Sequence, residues 1–146
     1  MIKTFRGKLT DLGQDKIRLS TPQGKIGYKI VKFQIIGAEP GEEHHEHTVK
    51  IYKVIQTTVD NTVDFSDGNL LAVAYWQDAA SQDNTSSSDV IFEHEVFNQD
   101  IYITAADTVG AVPINYYLEL ETMPLSDNAA AVSTLRDIRL NPQVGE

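Results

Sequence analysis

Apolar and polar residues alternate with a period of two through most of residues 2–123, in short runs that turn residues separate. Because successive side chains of a strand point to opposite faces, this alternation predicts strands that each bury one face. Many such strands in succession are typical of a sandwich or barrel rather than of a nucleotide-binding layer fold. The sequence therefore predicts an all-β protein, an antiparallel and jelly-roll-like β-sandwich.

Turn chemistry sets the expected ends of these strands. Pro40 and Gly41, for example, stand where a type II turn requires a fixed φ followed by a positive φ. Residues 70–77 are apolar on both faces, which favours a central strand over one that faces another subunit. The polar run 79–89 has little to bury and predicts a mobile surface loop. The predicted strands cover residues 2–9, 14–20, 28–36, 48–56, 57–59, 62–64, 70–77, 90–97, 101–104 and 114–123.

The C-terminal segment follows a different pattern. Its apolar residues recur at every third or fourth position, as Val132 and Leu135 do, and residues 126–128 can cap a helix. A chain of 146 residues has about the length of one ordinary domain. We therefore expect residues 1–125 to form the sandwich and residues 126–146 to form a short helix or an extended arm, packed on the same domain or on a neighbouring subunit.

Composition argues against several classes of protein. The chain has no cysteine, so it can form no disulfide and supplies no thiolate nucleophile or zinc ligand. No run approaches the roughly eighteen apolar residues of a membrane span, and the first residues lack the apolar centre of a secretory signal. We therefore expect a soluble protein made in a cytoplasm. A net charge of −9 and a pI near 4.8 disfavour nucleic-acid binding.

Charge is distributed unevenly along the chain. Residues 1–32 contain eight Lys and Arg against two Asp, a net charge of +6, while the remainder carries −15. This asymmetry predicts a basic surface that meets an acidic partner, including a neighbouring copy of the chain. Alternatively, the basic residues only solvate two N-terminal strands and deter edge-to-edge aggregation. The candidate partner-contact residues are Lys3, Arg6, Lys8, Lys16 and Arg18.

A histidine-rich segment contains His44, His45 and His47. On an extended segment, His45 and His47 would point the same way and supply two metal ligands, but a structural zinc site wants four. The one other histidine, His94, lies on the apolar face of predicted strand 90–97, as a core or rim histidine would. The segment therefore predicts a solvated polar loop, with no bound metal or cofactor.

Two further patterns could indicate a carbohydrate-active site. Acids at a spacing of two share one face, like the paired acids of a sheet glycosidase, but any solvent-facing strand shows the same geometry. Adjacent aromatic residues could stack on sugar rings, but they point to opposite faces, which favours core or interface packing. We therefore expect no enzymatic activity. The residues concerned are Glu93, Glu95, Glu119 and Glu121, and Tyr75, Trp76, Tyr116 and Tyr117.

Short phrases spread over nearly the whole chain carry a family resemblance. They occupy residues 7–9, 17–21, 24–33, 48–53, 63–67, 96–102 and 115–121. Together they resemble small virion structural proteins of marine tailed bacteriophages, including cyanophage-like viruses. The phrases are structural rather than catalytic, so the resemblance implies a family and identifies no active residue.

The resemblance implies a non-enzymatic capsid decoration or cement protein. Such a protein would stabilise the shell through symmetric self-association, as a trimer or ring, and through contacts to the major capsid protein or another virion protein. Its location would be the virion, after assembly in the host cytoplasm, with neither nucleic acid nor membrane as a partner. Two alternatives stay open: a tail, neck or fibre-associated adaptor, and a carbohydrate-binding module for host attachment.

Overall fold

The fold is a two-sheet antiparallel sandwich followed by one helix. The computed structural model describes residues 1–42, 44–78 and 86–140, with side chains described as far as residue 136. This confirms the predicted all-β sandwich with a short C-terminal helix. The elements are β1 (Ile2–Leu9), β2 (Gln14–Ile17), β3 (Ile26–Gly37), β4 (His45–Tyr52), β5 (Leu70–Asp78), β6 (Ser86–Ile91), β7 (Ile101–Asp107), β8 (Ile114–Pro124) and α1 (Asp127–Leu140).

The strand order is that of a jelly roll with one strand displaced. The smaller sheet has the order β1-β8-β3, and the larger sheet has the order β2-β7-β4-β5-β6. A jelly roll pairs its eight strands as a long hairpin rolled into two sheets: first with last, second with seventh, third with sixth and fourth with fifth. Here β6 pairs with β5 rather than with β3. β3 is consequently an edge strand of the smaller sheet.

The core lies between the two sheets. Leu118 of β8 and Phe33 of β3 belong to the same buried cluster as Val49 of β4 and Ile103 of β7, and none of the four is more than 1% exposed. Burying a side chain of this size stabilises the fold by about 1.5–3 kcal/mol. Alternation continues along β8, where every second residue from Ile114 is buried up to position 120.

The loop after β4 covers part of the outer face of the larger sheet. Lys50 lies on that face and is only 3% exposed. Its Nζ donates hydrogen bonds to Asp60 Oδ1, at 3.2 Å, and to the main-chain carbonyl of Thr62. The hairpin predicted at residues 57–59 and 62–64 is wrong, because neither segment forms a strand. The loop instead turns around the ammonium group of Lys50 and supplies its hydrogen-bond partners. Burying an ammonium group without such partners would be costly in free energy.

β6 differs from its prediction. Part of the predicted loop 79–89 forms this strand, and the rest, residues 79–85, lies outside the described residues. Of the predicted strand 90–97, only residues 90 and 91 lie in β6; the rest of that prediction is wrong, because β6 ends at Ile91 and His94 is exposed in the turn that follows. The serines of β6 bury little apolar surface. Hydrogen bonds to the main chain of β5 nevertheless hold β6 in the sheet, so this strand needs no apolar face of its own.

α1 begins with a side-chain cap, as the sequence predicts. The main-chain N–H of Ala129 donates to Ser126 Oγ at 3.1 Å. Val132 and Leu135, whose spacing predicts the helix, are 65% and 54% exposed, whereas Ala130 is buried. The helix therefore docks through its small residues, which allow a close approach to the sandwich.

Asn98 attaches α1 to the sandwich. Its side chain is fully buried, and its Nδ2 donates to the carbonyl of Gly24 at 3.0 Å and to Thr134 Oγ1 at 2.7 Å. One amide group thus joins the turn before β3 to the middle of the helix. In this structure the C-terminal helix packs on its own chain.

Candidate functional site

Two of the candidate contact residues, Arg6 and Lys8, lie together on the outer face of the smaller sheet. They alternate along β1, opposite Tyr117 and Asn115 of β8, and the exposed Ile36 of β3 follows in the same row as Lys8. Arg6 and Lys8 line a groove of about 500 Å³ with mainly apolar walls. In the described part of the chain, no carboxylate oxygen lies within 4 Å of either cation. The groove is lined by Arg6, Gly7, Lys8, Gln34, Ile36, Asn115, Tyr116 and Tyr117.

The other three candidate contact residues lie outside this groove. Lys3 is half-buried, with its Nζ 5.9 Å from the centre of the Tyr28 ring. Lys16 forms an ion pair with Asp100 at 3.4 Å, and Arg18 is exposed just after β2. Since β1 and β2 are edge strands of the two sheets, joined by one tight turn, all five residues lie near the same edge of the sandwich. Lys16 nevertheless faces outward from the larger sheet, whereas Arg6 and Lys8 face outward from the smaller sheet.

Asp100 fixes the chain that follows β2. Its Oδ1 accepts hydrogen bonds from the main-chain N–H groups of Leu19, at 2.7 Å, and Ser20, at 2.9 Å. Burial alone would raise the pKa of this carboxyl, but these hydrogen bonds, with help from Lys16, hold its pKa below the usual range. The ionised form is therefore the one that the folded chain favours.

This shift predicts a specific pH dependence of stability. The folded-state pKa of Asp100 is depressed, so its contribution is present above the unfolded value of about 3.9 and is lost as the pH falls through the folded value. We expect Asp100→Asn to cost about 1–2 kcal/mol near pH 7 and clearly less near pH 3. Urea unfolding of both proteins at several pH values measures this difference, and a difference that stays constant with pH would contradict the assignment.

His45 and His47 are buried in the sandwich, at 2% and 1% exposure, whereas His44 is exposed. The predicted solvated loop is therefore wrong for the first two residues. The reason is that β4 begins at His45, three residues before the predicted start of this strand at residue 48. Pairing with β5 and β7 on both sides places the two imidazoles on the inward face of β4, in line with Val49.

Asp107, at the end of β7, completes a cluster with the two histidines. It stands directly opposite His47 in the β4–β7 ladder. Its Oδ1 accepts hydrogen bonds from the main-chain N–H groups of Glu46, Val109 and Gly110 at 3.1–3.2 Å. Its Oδ2 lies 2.8 Å from His45 Nδ1. Burial would raise the pKa of this carboxyl, but the hydrogen bonds and the nearby His47 outweigh burial and hold the pKa below its usual range.

The pKa of His47 lies below its ordinary value. Burial lowers its pKa; Asp107 acts in the opposite direction and His45 in the same direction as burial. The His47 ring centre lies 5.7 Å from that of His45 and 5.8 Å from that of Trp76. One donor atom from each of His45, His47 and Asp107 lies within 4.8 Å of the other two. Neutral imidazoles beside a carboxylate can share a proton or bind a cation.

Sequence reasoning found two members of this cluster and missed the third. The spacing of His45 and His47 already places both rings on one side of an extended segment. Asp107 is 60 residues further along the chain than His47 and joins it only through the register of two antiparallel strands. No local sequence pattern predicts that register, so nothing in the sequence indicates that Asp107 belongs to the cluster.

The aromatic and acidic residues considered for a carbohydrate site lie in different surroundings. Trp76 and Tyr116 are each 7% exposed and belong to the core, as expected. Glu119 accepts a hydrogen bond from the hydroxyl of Tyr117 at 2.9 Å. Glu93 stands in the turn after β6 rather than on a strand, so the predicted one-face pairing of Glu93 with the next acid does not form.

Comparisons with known proteins identify no family for this chain. No protein-family model matches the chain, and no curated protein matches it. A solved structure of a Bacillus endospore appendage, from a family of disulfide-linked pili, is similar at a TM-score of 0.37 and 12% identity. The match covers 86% of this chain and 88% of that one. At this level the likeness carries no argument about function. Among the described residues there is no helix long and apolar enough to cross a membrane.

Proposed function

We propose that this chain is a non-enzymatic virion structural protein, a capsid decoration or cement subunit of a tailed phage. It would stabilise the shell through symmetric self-association and through contacts to the major capsid protein. The sequence resemblance motivates the proposal, and the groove beside Arg6 and Lys8 is the observation that carries it. Among the described residues these two cations have no carboxylate neighbour, and cations set beside apolar walls on a sheet suit a protein partner.

The partner that fits this groove is an acidic, partly apolar surface of a second copy. Residues 33–146 carry a net charge of −15, so a sister subunit presents many carboxylates. Repetition of one modest contact around a trimer or ring holds a lattice through effective concentration, without any single strong site. Steering by opposite charges also speeds correct assembly and makes it sensitive to salt.

Imaging purified virions that contain this chain tests the proposed location. Hundreds of copies on the capsid lattice would support the decoration or cement role. A few copies at one vertex would favour the alternative of a tail, neck or fibre-associated adaptor, and absence from the particle would refute the virion assignment altogether.

Charge reversal in the groove tests the proposed contact. We expect the double variant Arg6→Glu, Lys8→Glu to weaken self-association at low salt by at least about tenfold, because attraction to acidic groups becomes repulsion. Sedimentation velocity over a range of protein concentrations measures this change. The matched control is Lys25→Glu, Lys29→Glu, which changes the net charge equally but lies outside the groove. Equal effects of the two double variants would contradict the groove as the contact.

A further inference from the structure

We propose that His45, His47 and Asp107 form a binding site for a divalent transition-metal ion of the zinc type. The three residues are 2%, 1% and 8% exposed, and one donor atom from each lies within 4.8 Å of the other two. They come from two adjacent strands of the larger sheet, at the end of the sandwich. The site does not depend on the proposed virion role.

A buried nitrogen atom of His47 without a hydrogen-bond partner is a second observation that points to a ligand. Its Nε2 is buried and has no hydrogen-bond partner in the described part of the chain. A buried polar atom without a partner costs about 1–3 kcal/mol, so native structures rarely keep one without a reason. A neutral imidazole nitrogen is also the commonest protein ligand for transition metals. A bound cation would satisfy this atom.

The donor set selects the class of cation. Two imidazoles and one carboxylate suit zinc and its neighbours, whereas magnesium and calcium prefer oxygen ligands alone. Bonds of roughly 2.0–2.2 Å place two ligands of a tetrahedral zinc ion about 3.4 Å apart. The widest separation between donors would therefore shorten by up to about 1.4 Å on binding, while His45 Nδ1 and Asp107 Oδ2, now 2.8 Å apart, would move slightly further apart.

Gly110 provides a thin cover over the cluster. It is exposed, yet a Cβ at this position would lie 2.7 Å from both Cε1 and Nδ1 of His45. Only main-chain atoms therefore separate the His45 ring from solvent at this point. A small shift of the loop between β7 and β8 gives an ion a short path of entry.

Trp76 reports on the site, because it is the only tryptophan and its ring centre lies 5.8 Å from that of His47. The full chain, stripped with a chelator and dialysed, would be titrated with Zn²⁺ and with Co²⁺. We expect one ion per chain by calorimetry, a change in Trp76 fluorescence with the same stoichiometry, and visible absorption bands of tetrahedral Co²⁺.

Variants assign the binding to the cluster. We expect His47→Gln to weaken Zn²⁺ affinity by at least about 100-fold, because it removes a direct ligand. The matched control is the double variant His44→Gln, His94→Gln, which removes the two exposed histidines and should change the affinity by less than about twofold. If His47→Gln fails to fold, imidazole ¹⁵N spectra of the unmodified chain decide the matter.

Those spectra distinguish all four histidines. The proposal expects equimolar Zn²⁺ to shift the ring nitrogens of His45 and His47 and to leave those of His44 and His94 unchanged. It is overturned if equimolar Zn²⁺ does not bind, if binding shifts the exposed pair instead, or if the control double variant abolishes it.

Discussion

Replacing Asp107 by alanine is expected to lower the free energy of unfolding by about 3–5 kcal/mol in metal-free buffer. The carboxylate accepts main-chain hydrogen bonds from Glu46, Val109 and Gly110 and contacts His45 Nδ1. Alanine removes the acceptor for all of them at once and leaves several donors without partners. Urea unfolding followed by circular dichroism, with a chelator present, measures the loss.

Asp107→Asn is the matched variant. Asparagine has nearly the same shape and keeps one carbonyl oxygen for the three main-chain donors, but its amide nitrogen cannot accept a hydrogen bond from His45. We expect it to cost roughly half as much as alanine. Equal losses in the two variants would show that the main-chain hydrogen bonds contribute little, and a loss below about 1 kcal/mol in both would remove Asp107 from the stabilising network.

Alternation was sufficient to predict strands whose two faces have different surroundings. β1 was predicted with its observed bounds, and β5 and β8 to within one residue. β5 also lies between β4 and β6, in the interior of its sheet, as its two apolar faces indicated. In these strands the local pattern and the buried face agree, so no distant residue is needed to place them.

The predictions that failed concern residues whose conformation or burial depends on a contact with a distant part of the chain. The histidines of β4 look like loop residues because their burial depends on the ladder with β7. The β-branched residues at 57–59 and 62–64 look like strands, but Lys50 fixes that loop from beneath. The serines of β6 are strand residues only because β5 has an edge to extend. Each case is a tertiary contact that overrides local propensity.

The close contact of Gly37 with Trp76 leads to the second large prediction. A Cβ at Gly37, the last residue of β3, would lie 2.5 Å from Cζ3 of the Trp76 indole. The indole is only 7% exposed, and its ring centre lies 5.8 Å from that of His47. The ring therefore has little room to move. We expect Gly37→Ala to destabilise the fold by about 3 kcal/mol, at the upper end of the usual cost of overpacking.

A double-mutant cycle separates this clash from any effect of alanine on the backbone. The φ angle of Gly37 is not positive, so alanine is compatible with the local conformation and the cost should come from the ring. Trp76→Leu removes the ring, and Gly37→Ala should then cost less than about 1 kcal/mol in that background, a coupling of roughly 2 kcal/mol. Unfolding by urea, followed by circular dichroism because the leucine variant has no tryptophan, gives the four free energies. If alanine costs the same with and without the ring, the contact is not what requires glycine, and the cause lies in the main chain at the end of β3.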